Sequence, residues 1–164
     1  MIREYRDLGI LGAVFLLALL LLVLFFWVTE PVIVERDRSE FEMGVRVLVG
    51  EVEIREERSG EELPVLRLME FDDGSTIAEL LVRGYRNEIR YLSHLSADGE
   101  LLGAVVLRES EAGSHDWFLR DREILTEVLN GGALPEEVPA TTVTVQAMID
   151  GVERARAAIS EGMQ

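Results

Sequence analysis

The chain has 164 residues, 16 arginines and no lysine, no cysteine, and a formal net charge of −15. That balance excludes a nucleic-acid partner, because no basic patch could offset a phosphate backbone. The missing thiols exclude disulfides, thiolate metal sites, protein-ligated Fe–S clusters and cysteine nucleophiles.

Imidazole can come only from His94 and His115, which lie in different segments. A catalytic triad or a His-rich metal site is therefore not expected, while carboxylate-only calcium binding stays open. The use of arginine for every basic position is read as compositional bias, without chemical meaning.

A short segment, residues 1–7, leads into Leu8 to Val28, 21 consecutive uncharged and almost wholly apolar positions. At ~1.5 Å per residue this matches the ~30 Å hydrocarbon layer of a bilayer. Tyr5 before the run and Trp27 at its far end suit interfacial anchoring. A cleavable signal peptide is the alternative, but its apolar core would be only about 7–15 residues and would end in a small-residue cleavage site. The continuation "TEPVIVERDR" offers no such site. Arg3, Arg6 and the α-amino group make the leading side slightly the more positive. The expected placement is the cytoplasmic (inner) membrane, N-terminus inside, with the acidic domain on the outer, periplasmic side.

Residues 29–40 read as a linker and 41–164 as one domain. "VRVLVGEVEIR" alternates roughly at period two through Val47, Val49, Val52 and Ile54, which predicts a strand. "EERSGEE" is a polar loop, "LPVLRLMEF" a strand, "DDGS" a turn, and "TIAELLVRGY" a strand or a short helix. Ala97-Asp98-Gly99 reads as a three-residue hairpin loop with glycine for the left-handed position, joining "IRYLSHL" to the more buried "LLGAVVL".

Asp116 to Asn130 carries apolar residues at helical spacing and stops at Gly131-Gly132. After the loop "GGALPEEVP", Val145, Met148, Ile149, Val152, Ala155 and Ile159 mark a last amphipathic helix. The fold class is α+β: one N-terminal transmembrane helix, an antiparallel sheet, and two C-terminal helices.

His94 sits mid-strand and reads as a structural or surface histidine. His115 reads as helix punctuation or as a ligand-facing residue. Trp117 and Phe118 read as core, with ligand stacking as the alternative. The acidic stretches lack the ligand spacing of an EF-hand and read as solvated loops. Thr141, Thr142 and Thr144 precede the last apolar stripe. Thr142 or Thr144 can cap the helix, and a helix N-terminus also favours a phosphate.

On these residues the chain resembles the FMN-binding domain shared by the G subunit of Rnf electron-transport complexes and the C subunit of the Na⁺-translocating NADH:quinone reductase. Gly84-Tyr85 stands at that family's GY position. Asp98, Gly99, Gly103 and Glu111 match its hairpin, and "ATTVTVQAMIDGV" follows its terminal motif. The likeness runs in order from the anchor through most of the domain.

The resemblance implies FMN joined by a phosphoester to Thr142, with Thr144 at the following hydroxyl position and Thr141 beside them. It implies pocket walls from Gly84, Tyr85 and a loop containing Glu111, Gly113 and Ser114. It further implies an electron relay working with other membrane subunits of a multisubunit redox complex. The chain departs from the motif at three places: Pro139 replaces a hydroxyl residue, Ala140 replaces glycine and Thr141 replaces alanine. The glycine-rich loop of the family reads Ser114-His115-Asp116. A flavin-free structural subunit of the same kind of complex is the second expectation. A single-pass envelope assembly protein of unrelated origin is the third.

Overall fold

The computed structural model of the chain describes residues 2–51, 54–59, 64–109, 117–134 and 139–162. The elements are α1 (Ile2–Val49), β1 (Ile54–Ser59), β2 (Val65–Phe71), β3 (Thr76–Arg83), β4 (Glu88–Leu95), β5 (Leu101–Glu109), a 3₁₀ turn (Trp117–Arg120), α2 (Arg122–Leu129) and α3 (Pro139–Gly162). The chain divides into two compact units, Met1–Glu40 and Phe41–Gln164.

The first unit is helical throughout its described length and is long and apolar enough to cross a membrane. From Val14 to Val34 its large apolar side chains are exposed, as a surface meant for lipid would be. Residues 29–40, expected as a linker, continue the helix. Pro31 withholds one backbone N–H inside the helix. Just before it, the Thr29 hydroxyl donates to the Phe25 carbonyl at 2.8 Å. Arg36 and Glu40 then form an i,i+4 ion pair at 2.8 Å, which supports the helical conformation.

The second unit is a five-stranded antiparallel meander in the order β1-β2-β3-β4-β5, with all neighbouring strands consecutive in sequence. "TIAELLVR" is thus a strand. The β2–β3 turn and the β4–β5 turn place Gly74 and Gly99 at φ +80°, the left-handed region where glycine carries no Cβ penalty. Gly99 confirms the expected hairpin loop, closed by Ser96 N–H to the Glu100 carbonyl at 2.8 Å.

Both faces of the sheet are covered. On one face, Ala78, Leu80, Val82, Ile89, Tyr91, Leu95 and Ala104 meet Phe118 and Leu119, Leu125 and Val128 of α2, and Val145, Met148, Val152 and Ala155 of α3. The buried Tyr91 hydroxyl donates to the Met148 carbonyl at 2.6 Å. Burial and then the nearby Asp150 push this phenol far above its ordinary range, so it acts as a permanent donor. Gly151 makes the contact possible, since a Cβ there would collide with the Tyr91 hydroxyl.

The other face corrects the sequence reading. Val47 and Val49 belong to α1 and not to a strand. Phe41, Gly44, Val45 and Leu48 recur at i, i+3, i+4 and i+7, and this stripe lies on Met69, Phe71, Ile77 and Leu92. A short valine-rich run satisfies both periods, and the sheet's second apolar face selected the helical one. Arg122 closes the joint by donating to the Val47 carbonyl at 2.8 Å.

The helix expected over Asp116–Asn130 is interrupted. Trp117–Arg120 is a 3₁₀ turn, and Asp121, extended at φ −98° and ψ 106°, accepts from Glu123 N–H and Ile124 N–H to start α2. Phe118 is core as expected, but Trp117 is half exposed. From α2, Thr126 Oγ1 accepts from Ala104 N–H at 3.0 Å and Asn130 donates to the Leu101 carbonyl at 3.1 Å. These two side chains occupy backbone groups at the start of edge strand β5, where a foreign strand would otherwise pair.

Candidate functional site

The first turns of α3 carry the three threonines, and they lie within the helix rather than ahead of it. The capping role expected of Thr142 or Thr144 is therefore corrected. Pro139 opens the helix, where its fixed φ and missing N–H cost nothing, and that carries the helix start upstream of all three hydroxyls.

The helical wheel separates the three threonines. Thr141 is 4% exposed and Thr144 is 3% exposed, on the face that packs inward. Thr142 lies on the solvent face with Val143, which is 47% exposed. Thr144 is committed structurally: its Oγ1 accepts from Tyr85 N–H at 3.1 Å across 59 positions of sequence. That bond brings the Gly84-Tyr85 turn between β3 and β4 to the start of α3. Gly84 N–H donates to the Asn87 carbonyl at 2.8 Å and closes the turn. Tyr85 remains 52% exposed. Thr141 Oγ1 is buried without a hydrogen-bond partner.

Of the eight site residues that the resemblance implies, hydrogen-bonded Gly84-Tyr85 and Thr144 come together, and Thr141 and Thr142 share the first turns of the same helix. Glu111, Gly113 and Ser114 lie outside the described residues, as does His115. Val143 was not singled out. Its only signal was negative, an apolar residue off the stripe of Val145, Met148 and Val152.

Thr144→Val is expected to destabilise the domain by about 1–3 kcal/mol, because it keeps the volume but leaves a backbone N–H without its acceptor. The check is amide hydrogen exchange, with Tyr85 losing protection ahead of the sheet interior.

His94 lies on the opposite face of the sheet, paired in register with Ile77 and Gly103. Burial lowers its pKa, opposed by Asp73 and reinforced by Arg122. It is half buried, and its Nε2 has no hydrogen-bond partner, so it is not the satisfied histidine expected of a purely structural role. Asp73 itself is held below the usual carboxylate range by hydrogen bonds from the Ser75 hydroxyl and backbone. Among the described residues no cluster of three acidic or histidine side chains could hold a metal.

A separate open concavity of about 840 Å³ runs along α2. Its Arg120 and Arg122 are interleaved with Asp121, Glu123 and Glu127, so it favours neither charge. No family model matches the chain, and no curated protein matches it.

Proposed function

We propose that the protein is a single-pass membrane electron-transfer subunit of an Rnf-like ion-translocating oxidoreductase complex. It carries FMN by a phosphoester on Thr142 and works beside other membrane subunits. Helix α1 is its anchor in the cytoplasmic membrane, and the more positive leading segment favours the domain on the outer side.

The observation that carries the cofactor assignment is the division of labour among the threonines. Thr144 is buried and engaged with Tyr85, Thr141 is buried, and Thr142 stands exposed at the helix start. The surrounding residues fit a phosphorylated flavin on three grounds. The first turn of a helix offers amide donors and the positive end of the dipole. Thr141 keeps an orphaned hydroxyl in that turn. Tyr85 and Val143 are both half exposed and so offer apolar surface to a ligand.

When bound, the flavin supplies one- and two-electron chemistry. The chain's own contribution is to fix the phosphate at Thr142 and to hold the Gly84-Tyr85 turn against α3 through Thr144.

A flavin-free structural subunit is the second reading, favoured by Ala140 in place of the motif's glycine, the residue type that lets a phosphate approach the backbone. Intact mass of protein from its own host separates the two. An FMN-sized addition that survives denaturation and disappears in Thr142→Ala supports the relay. Flavin released on unfolding sinks covalent attachment, and a bare polypeptide mass supports the structural subunit.

A further inference from the structure

We propose that the open stretch of edge strand β5 around Val106 docks a short extended segment of a partner protein, one that brings apolar side chains and carboxylates. The site is independent of the flavin assignment, since none of its residues belongs to α3 or to the Gly84-Tyr85 turn.

Strand β5 ends the sheet and pairs only with β4. In an antiparallel ladder, successive residues alternately aim their N–H and C=O at the neighbouring strand and away from it. Ala104 donates its N–H to Thr126 on α2, so its backbone groups point away from β4. The register runs unbroken from the Ala104–Ser93 pair to the Val106–Tyr91 pair, so those of Val106 point away too. Among the described residues, no hydrogen bond takes up Val106 N–H, Val106 C=O or Ala104 C=O.

The fold sets both ends of this opening. Upstream, Thr126 and Asn130 occupy Ala104 N–H and the Leu101 carbonyl, and Arg122 passes beside Gly103 to reach the Val47 carbonyl. Downstream, the register shifts between Val106 and Arg108, a bulge that interrupts regular pairing. Such devices blunt an edge against foreign strands, and here they leave one gap between them.

An open groove of about 290 Å³ lies on that gap, lined by Val105, Val106, Leu107, Leu119, Arg120 and Arg122. Small-molecule pockets span ~300–1,000 Å³, so this one suits a few side chains better than a cofactor. Val106 packs toward the core under α2 and α3, while Val105 and Leu107 pack toward the core under α1. An added strand, whose side chains alternate between faces, meets apolar surface on each. The charged residues lining the groove are both arginines and both exposed, in a chain of net charge −15. That local sign selects carboxylates on the incoming segment. It disfavours a second copy, which would bring the same arginines to a two-fold contact.

The test uses the full chain in detergent and an acetylated heptapeptide of alternating valine and glutamate. In the free chain, Val106 N–H is expected to exchange rapidly while Val105 N–H, which faces Leu92, stays protected. Adding the peptide should slow exchange at Val106. Strand addition draws affinity from main-chain hydrogen bonds and specificity from side-chain sites. Methylating two adjacent central amides of the peptide, or replacing its glutamates by lysine, should therefore each weaken binding by about tenfold or more. Val106→Pro and Arg120→Glu should do the same, and the lysine peptide should prefer Arg120→Glu. Proline is tolerated at an edge position whose N–H faces outward, and the exposed Arg120 supplies the second variant if Val106→Pro does not fold.

No binding of the acidic peptide overturns the proposal, as does equal binding of its methylated or lysine form. Protection of Val106 N–H in the free chain also overturns it. Protection at every concentration shows the edge covered by the chain itself, and protection that rises with protein concentration shows a second copy there.

Discussion

Glu79→Gln is expected to cost the domain about 3–5 kcal/mol, the range for removing one partner of a buried ion pair. Glu79 occupies the middle strand of the sheet and is 1% exposed. Arg90 from β4 holds its Oε1 through both Nε and Nη2, and Arg67 from β2 lies 3.4 Å from its Oε2. Arg67 also reaches Glu57 on β1 at 3.3 Å, and its guanidinium sits 4.3 Å over the Phe41 ring.

Removing the charge at the buried Glu79 position leaves the Arg67 and Arg90 guanidinium groups, 35% and 18% exposed, without their shared carboxylate, and the burial of Glu79 is what makes the loss large. An exposed pair such as Arg156–Glu153 would contribute well under about 1 kcal/mol. Equilibrium denaturation of the full chain measures the difference. A change of less than about 1 kcal/mol would show that the cluster is solvated and contributes little. Replacing Arg67, Glu79 and Arg90 together by apolar residues of similar volume should recover most of the loss, since Glu57, which then loses Arg67, is 52% exposed.

Phe41→Ala is expected to cost about 3–5 kcal/mol, although its residue lies in the helix that begins as the apolar N-terminal segment. Phe41 is 4% exposed and belongs to the cluster of Leu48, Met69, Phe71, Ile77 and Leu92. Its removal takes aromatic bulk from that cluster and the ring from beneath Arg67. Met43, two positions on, is 65% exposed, so Met43→Ala should stay within about 0.5 kcal/mol of wild type. Equal effects at the two positions would refute the docking of residues 41–49 on the sheet.

Because Phe41 and Glu79 share Arg67, the double variant should depart from additivity, which a double-mutant cycle reads directly. A fragment beginning after Val49 should expose the Met69, Phe71, Ile77 and Leu92 face and aggregate.

Much of the architecture was legible from residue patterns because its determinants are local. Leu8–Val28 needs only length and apolarity to read as a span. Gly99 declares its hairpin because a left-handed residue suits glycine, and the stripe from Val145 to Ile159 declares a helix by its period. Where local signals are degenerate, the reading failed. "VRVLVG" fits both a strand and a helix. Asp121 reads as an ordinary polar residue until its carboxylate is found accepting two amides.

The candidate site divides along the same line. Sequence by itself determined that hydroxyls gather near the last helix and that a Gly-Tyr pair stands 59 positions ahead of one of them; that the pair forms a turn came from the structure. Only the tertiary structure decided which threonine is exposed, which is tied to Tyr85, and which is buried without a hydrogen-bond partner for its hydroxyl. Local patterns record what each residue prefers. The docking of α3 on the sheet settles which of those preferences are met, because burial of Val145, Met148 and Val152 fixes the rotation of the helix and, with it, the direction of every threonine.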